Sequence, residues 1–128
     1  MGTGGVTVLV VDDEPSLRLL CRVNLELEHY RVLEAGTLAE ARRLLDSEPV
    51  DVVILDVHVG DGDGRDLLEE LRAREADVRV AMLTGSADVT MGRFDAADAV
   101  MPKPFEPTEL LTVVRDLSQR GANVDSST

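Results

Sequence analysis

The sequence has no tryptophan and, in 128 residues, only one tyrosine and two phenylalanines: Tyr30, Phe94 and Phe105. A core must therefore be built from Val, Leu, Ile and Ala, and a flat cofactor such as a flavin finds no rings to stack on. The single cysteine, Cys21, excludes an intrachain disulfide and falls in an apolar helical stripe, where it reads as a small core residue. Basic residues are scarce, 13 against 25 acidic ones, for a formal net charge of −12. That sign disfavours the phosphates of nucleic acid and an anionic membrane surface, and suits a basic protein partner or a bound cation. No apolar run approaches the roughly 20 residues of a membrane-spanning helix. No basic stretch followed by an apolar one opens the chain, so a cytosolic (cytoplasmic) protein is the default expectation. What is present is enough apolar material, 44%, for one domain of this length.

Two apolar patterns alternate along the chain. Unbroken runs at Val8-Leu9-Val10-Val11, Val52-Val53-Ile54-Leu55 and Val80-Ala81-Met82-Leu83 have the form of strands covered on both faces. Val32-Leu33 and Ala99-Val100-Met101 are weaker runs of the same kind. Between them, Leu17, Leu20, Cys21 and Leu25 follow Pro15 at helical spacing. Thr37 and Glu40 form a capping-box pattern ahead of Ala41, Leu44 and Leu45. Leu67, Leu68 and Leu71 mark a third helix, and Pro107 opens a last one carrying Leu110, Val114 and Leu117. Residues 88–95, short and interrupted by Gly92, predict a stunted helix. The order is β-α five times over, which implies a largely parallel sheet with helices on both faces and right-handed crossovers. Residues 1–5 and 121–128 are small and polar and read as loose ends.

In open sheets of this kind ligands bind at the carboxyl ends of the strands. There the sequence sets Asp12, Asp13 and Glu14 after the first strand, Asp56 after the third, Thr84 after the fourth and Lys103 after the fifth. Two carboxylates about 4 Å apart repel by roughly 4 kcal/mol at an effective dielectric near 20. Such a cluster needs a proton, a lysine or a metal, and hard oxygen ligands with room for water suit Mg²⁺. Taken singly, each residue has a plainer reading. The Asp12–Glu14 acids suit a helix N-terminus, Thr84 a cap, and Lys103 a solvated surface. The set as a whole favours a site.

The set resembles the receiver domain of two-component response regulators. The resemblance is carried by Val11-Asp12-Asp13-Glu14-Pro15, Leu55-Asp56, Asp63-Gly64, Leu83-Thr84 and Lys103-Pro104-Phe105, and spans residues 6–120. It implies a flavodoxin-like, open doubly wound (βα)5 sandwich with strand order 2-1-3-4-5 and a fourth helix that is short or irregular. It implies that Asp56 accepts a phosphoryl group from a sensor histidine kinase or phosphotransfer protein. Asp12, Asp13, Asp56 and the backbone carbonyl of His58 would hold Mg²⁺, and Thr84 and Lys103 would bind the phosphoryl group. Lys103-Pro104 would be a cis peptide. A downstream protein or output domain would read the change, and the chain would catalyse only its own phosphorylation and dephosphorylation. Charge stabilisation and positioning suffice for such a transfer, and an ionised carboxylate needs no general base.

Several residues depart from the family pattern. Gly60 stands where proline is usual and, with Gly62 and Gly64, predicts a looser loop. Val100 replaces an aromatic residue, and the stretch from Thr84 to Lys103 is about one helical turn short. These changes point the output toward the first helix or the Gly-rich loop. His58 and Ser86, two residues past Asp56 and Thr84, hold positions that in the family influence phosphoryl lifetime; as plain residues both are solvated loop positions. Asp61 and Asp63 faintly suggest a calcium loop, but Arg65 occupies the next ligand position. They read as turn residues, with Asp63 capping the third helix. His29 reads as a surface residue ending the first helix. Two other functions compete. One is a receiver that binds partners without phosphorylation. The other is a Mg²⁺-dependent phosphatase, for which Asp12 and Glu14 are an imperfect acid pair.

Overall fold

The computed structural model describes residues 5–85 and 94–126. The strand runs form β1 (Thr7–Val11), β2 (Arg31–Ala35), β3 (Val52–Asp56), β6 (Arg79–Thr84) and β7 (Ala99–Pro102). They make one parallel sheet in the order β2-β1-β3-β6-β7, the 2-1-3-4-5 order of the flavodoxin-like fold. Two further strands, β4 (His58–Val59) and β5 (Gly62–Asp63), pair with each other as a small antiparallel hairpin outside the sheet. Among the described residues there are four helices: α1 (Pro15–Leu27), α2 (Leu38–Ser47) and α3 (Gly64–Ala73) between strands, and α4 (Pro107–Ser126) after the last strand.

Strand geometry sends alternate side chains to opposite faces. Leu9, Val11, Val53, Leu55, Val80 and Met82 pack with Leu38, Ala41, Leu67, Leu68 and Leu71 of α2 and α3. Val8, Val10, Val52, Ile54, Ala81 and Leu83 pack with Cys21, Leu25, Leu110, Val114 and Leu117 of α1 and α4. The central strands thus bury both faces, which is why their sequences are unbroken apolar runs. Each such Leu or Val contributes roughly 1.5–3 kcal/mol by burial.

The helix ends follow the sequence. Thr37 Oγ1 accepts from Glu40 N–H at 3.1 Å, and the Glu40 carboxylate accepts from Gly36 N–H at 2.8 Å. Asp63 Oδ1 accepts from Arg65 N–H at 2.8 Å and caps α3. Exposed His29, with φ +72°, follows α1.

Two expectations are modified. Leu20 is 39% exposed, because α1 packs along the Leu17–Cys21–Leu25 line and leaves Leu19, Leu20, Val23 and Leu27 outside it. The last helix continues to Ser126, through residues 121–126 that the sequence suggests are a loose end. That stretch contains no proline, and Gly121 lowers helix propensity without blocking it. Of the expected fourth helix at 88–95, and of Ser86, nearly all lies outside the described residues. Phe94 and Asp95, the described end, are not helical.

Candidate functional site

The carboxyl ends of β1, β3 and β7 bring Asp12, Asp13, Asp56 and Lys103 together. Carboxylate oxygens of Asp12, Asp13 and Asp56 all lie within 4.8 Å of one another. Asp12 is fully buried, Asp56 is 5% exposed, and Asp13 faces solvent. Lys103 Nζ donates to Asp56 Oδ2 at 2.8 Å and stands 3.1 Å from Asp12 Oδ2. The Lys103-Pro104 peptide is cis.

The backbone fixes each of these groups. Asp12 N–H donates to Ala35 O at 3.1 Å, and Asp12 Oδ1 accepts from Glu14 N–H at 2.9 Å. Arg18 of α1 donates to the Asp12 carbonyl at 2.6 Å while pairing with Glu34. Lys103 N–H donates to the Thr84 carbonyl at 2.8 Å. Asp56 Oδ1 accepts from His58 N–H at 3.3 Å.

Electrostatically the site is under-compensated. Burial pushes the Asp56 carboxyl up to about 6; the Lys103 hydrogen bond opposes this and neighbouring Asp12 adds to it. Burial works against the Lys103 ammonium, yet the hydrogen bond and charge of Asp56, with Asp12 beside it, hold its pKa above the ordinary value. One ammonium serves two buried carboxylates. Asp12 Oδ2 is buried and, although ion-paired with Lys103, receives no hydrogen bond from the described residues. The fully buried Thr84 hydroxyl likewise has no hydrogen-bond partner among the described residues. Unsatisfied buried oxygens at an all-oxygen cluster fit a hard divalent cation, which takes carboxylate, carbonyl and water ligands.

The expected site residues divide accordingly. Asp12, Asp13, Asp56 and Lys103 form one cluster. Thr84 ends the adjacent strand β6, next to Lys103 through the backbone. His58 is exposed and reaches Asp56 through its amide nitrogen.

Sequence reasoning missed three contributors. Gly64 packs so tightly on β3 that an added Cβ would overlap the Asp56 carbonyl oxygen, while its N–H donates to Val57 O at 2.7 Å. Arg18 anchors the Asp12 backbone. Asp61 is no simple turn residue: its carboxylate accepts from Leu38 N–H at 2.8 Å and Ala39 N–H at 3.3 Å. The loop expected to be loose is therefore a hairpin pinned to α2. Gly64 alone carried a signal, the Asp63-Gly64 pair; Arg18 and Asp61 act on residues remote in sequence or through the backbone.

Fold and site together define the class: a parallel α/β domain that gathers acids and a lysine at one sheet edge. The sequence model of the response regulator receiver domain matches residues 8–115, and the chain belongs to that family, a phosphoacceptor signalling module. It is 37% identical over 124 residues to the probable transcriptional regulator ycf27 of Cyanophora paradoxa, covering 94% of this chain and 52% of that protein. It is 33% identical over 123 residues to the sensor kinase CckA of Brucella abortus, covering 92% of this chain and 13% of that protein. The chain thus spans about half of the first relative and a small part of the second. Among solved structures, the response regulator TrrA of Thermotoga maritima, in complex with Mg²⁺-BeF, has a TM-score of 0.81 at 33% identity. That match covers 88% of this chain and 98% of that one. Among the described residues no helix is long and apolar enough to cross a membrane.

Proposed function

We propose that Asp56 accepts a phosphoryl group from a phosphohistidine on a sensor kinase or phosphotransfer protein, and that a protein partner or output domain reads the change. A cytoplasmic setting goes with those partners. The carrying observation is the placement of Asp56: a nearly buried carboxylate at a strand end, bonded to an ammonium and clustered with two more acids.

In the transfer, a carboxylate oxygen of Asp56 forms the new O–P bond as the P–N bond to the donor imidazole breaks, and the freed imidazole leaves as the neutral base. Asp12, Asp13, Asp56 and the His58 carbonyl would hold Mg²⁺. That ion would supply charge neutralisation for the acids and the incoming phosphoryl oxygens. The solution of the related TrrA with Mg²⁺-BeF supports this choice of ion. Lys103 exchanges its bond to Asp56 for one to a phosphoryl oxygen. Thr84 supplies a buried hydroxyl whose hydrogen-bonding capacity no described residue uses. The hairpin pinned to α2 supports a site held in place for phosphorylation despite Gly60.

The test is intact mass after incubation with Mg²⁺ and a small-molecule phosphoryl donor. One added phosphoryl group is expected, absent in Asp56→Asn and in chelator. No addition under conditions where Mg²⁺ binds would overturn the proposal and favour phosphorylation-independent binding.

A further inference from the structure

The hairpin that follows Asp56 is tied at three points. At its base, His58 N–H donates to Asp56 Oδ1. At its turn, a Cβ on Gly60 would stand 3.4 Å from Asp13 Oδ2, so the bare backbone lies against that carboxylate. At Asp61 it is bonded to the first two amides of α2. The four amides at that helix end normally lack helical partners. Here Thr37 Oγ1 serves Glu40 N–H, and Ala41 N–H makes the first regular helical bond, to the Thr37 carbonyl. Asp61 serves the amides between, those of Leu38 and Ala39. The approach is close at Gly62 as well, where a Cβ would come to 3.0 Å from Leu38 Cδ1.

The topology gives this tie a direction. β1 lies between β2 and β3 in the sheet. The loop after β3 and the helix after β2 therefore meet beside the carboxyl end of β1, with Gly60 against the Asp13 carboxylate. We infer that Asp61 is a positioning residue for the cation site, holding the hairpin against Asp13 by anchoring it to α2. It touches neither the cation nor the phosphoryl group. The inference rests on the reading of Asp12, Asp13 and Asp56 as a Mg²⁺ site. Groups that orient metal ligands from behind commonly change metal affinity by about 10-fold or more when removed.

The test titrates the full chain with Mg²⁺ by calorimetry, with urea unfolding of the cation-free protein alongside. Asp61→Ala should bind Mg²⁺ about 10-fold more weakly. Asp61→Asn, which keeps an acceptor oxygen but no charge, should stay close to native. Thr37→Ala removes a cap from the same helix without releasing the hairpin, and should lower stability but leave Mg²⁺ affinity unchanged. Native affinity in Asp61→Ala would overturn the inference. So would equal weakening in Asp61→Asn, which would make the effect one of charge, or in Thr37→Ala, which would make it one of helix stability. Failure of the native chain to bind Mg²⁺ would instead overturn the site itself, and shows before any variant is made.

Discussion

Replacing Asp56 by asparagine should stabilise the cation-free fold, and the size of the effect can be worked from the site. The Asp56 carboxyl rises from 3.8 to about 6 because burial and Asp12 together outweigh Lys103. A carboxyl whose pKa is higher folded than unfolded binds its proton more tightly in the folded state. Its favourable contribution is complete below about pH 4 and is lost as pH rises through about 6. Above that, holding the ionised group in the fold costs about 3 kcal/mol. Asparagine removes the charge at similar volume. It forfeits the Lys103 pair, but the ammonium keeps Asp12 at 3.1 Å. A net gain of roughly 1–3 kcal/mol is expected above pH 6.5, shrinking toward zero near pH 4. Urea unfolding of both proteins in chelator, from pH 4 to 8, measures it. Added Mg²⁺ should stabilise the native chain more than the variant and narrow the gap. A difference equal at pH 4 and pH 7.5, or a variant less stable at pH 7.5, would refute the reasoning.

Gly64→Ala should destabilise by about 2–4 kcal/mol, because the new methyl group overlaps the Asp56 carbonyl and α3 must retreat; chemical denaturation measures this. Lys103→Met should raise Mg²⁺ affinity, since the ammonium competes for the oxygens of Asp12 and Asp56, yet lower phosphoryl uptake; calorimetry and intact mass follow the two effects. Cys21, whose thiol burial pushes up to about 12, should resist alkylation at pH 8 in the native state and label at the rate of unfolding, as peptide mass analysis would record. His29→Gly should stabilise by about 1 kcal/mol by relieving a left-handed side-chain-bearing residue, visible as a higher denaturation midpoint.

The sequence made the middle of the sheet plain and its margins faint. β1, β3 and β6 are flanked on both sides and packed on both faces, so their runs are unbroken. β2 and β7 are the edge strands, with Glu34 half-buried and Val100 45% exposed, and their patterns break accordingly. Asp12, Asp13, Asp56 and Lys103 were legible because a parallel sheet delivers all its strand ends to one edge. The Asp61 tie was not, because its partners lie 23 and 22 residues away and a turn aspartate is unremarkable by itself. Leu20 was misassigned because helical periodicity marks an apolar stripe without saying how wide a strip the sheet will cover.

The opposite edge of the sheet uses the same side chain to another end. Asp51 Oδ2 accepts from Thr7 N–H at 2.8 Å, and Asp98 Oδ2 accepts from Val80 N–H at 2.8 Å and from Arg72 at 2.7 Å. There aspartates complete the hydrogen bonding of strand beginnings; at the carboxyl edge they crowd one another around one lysine. The excess of negative charge is thus not spread evenly in its effect. At the amino edge the named aspartates meet backbone and guanidinium donors, while at the carboxyl edge burial and a neighbouring acid raise the Asp56 pKa. A net charge of −12 by itself therefore says little about where a cation would act on this domain. At the carboxyl rim three acids crowd around a single lysine.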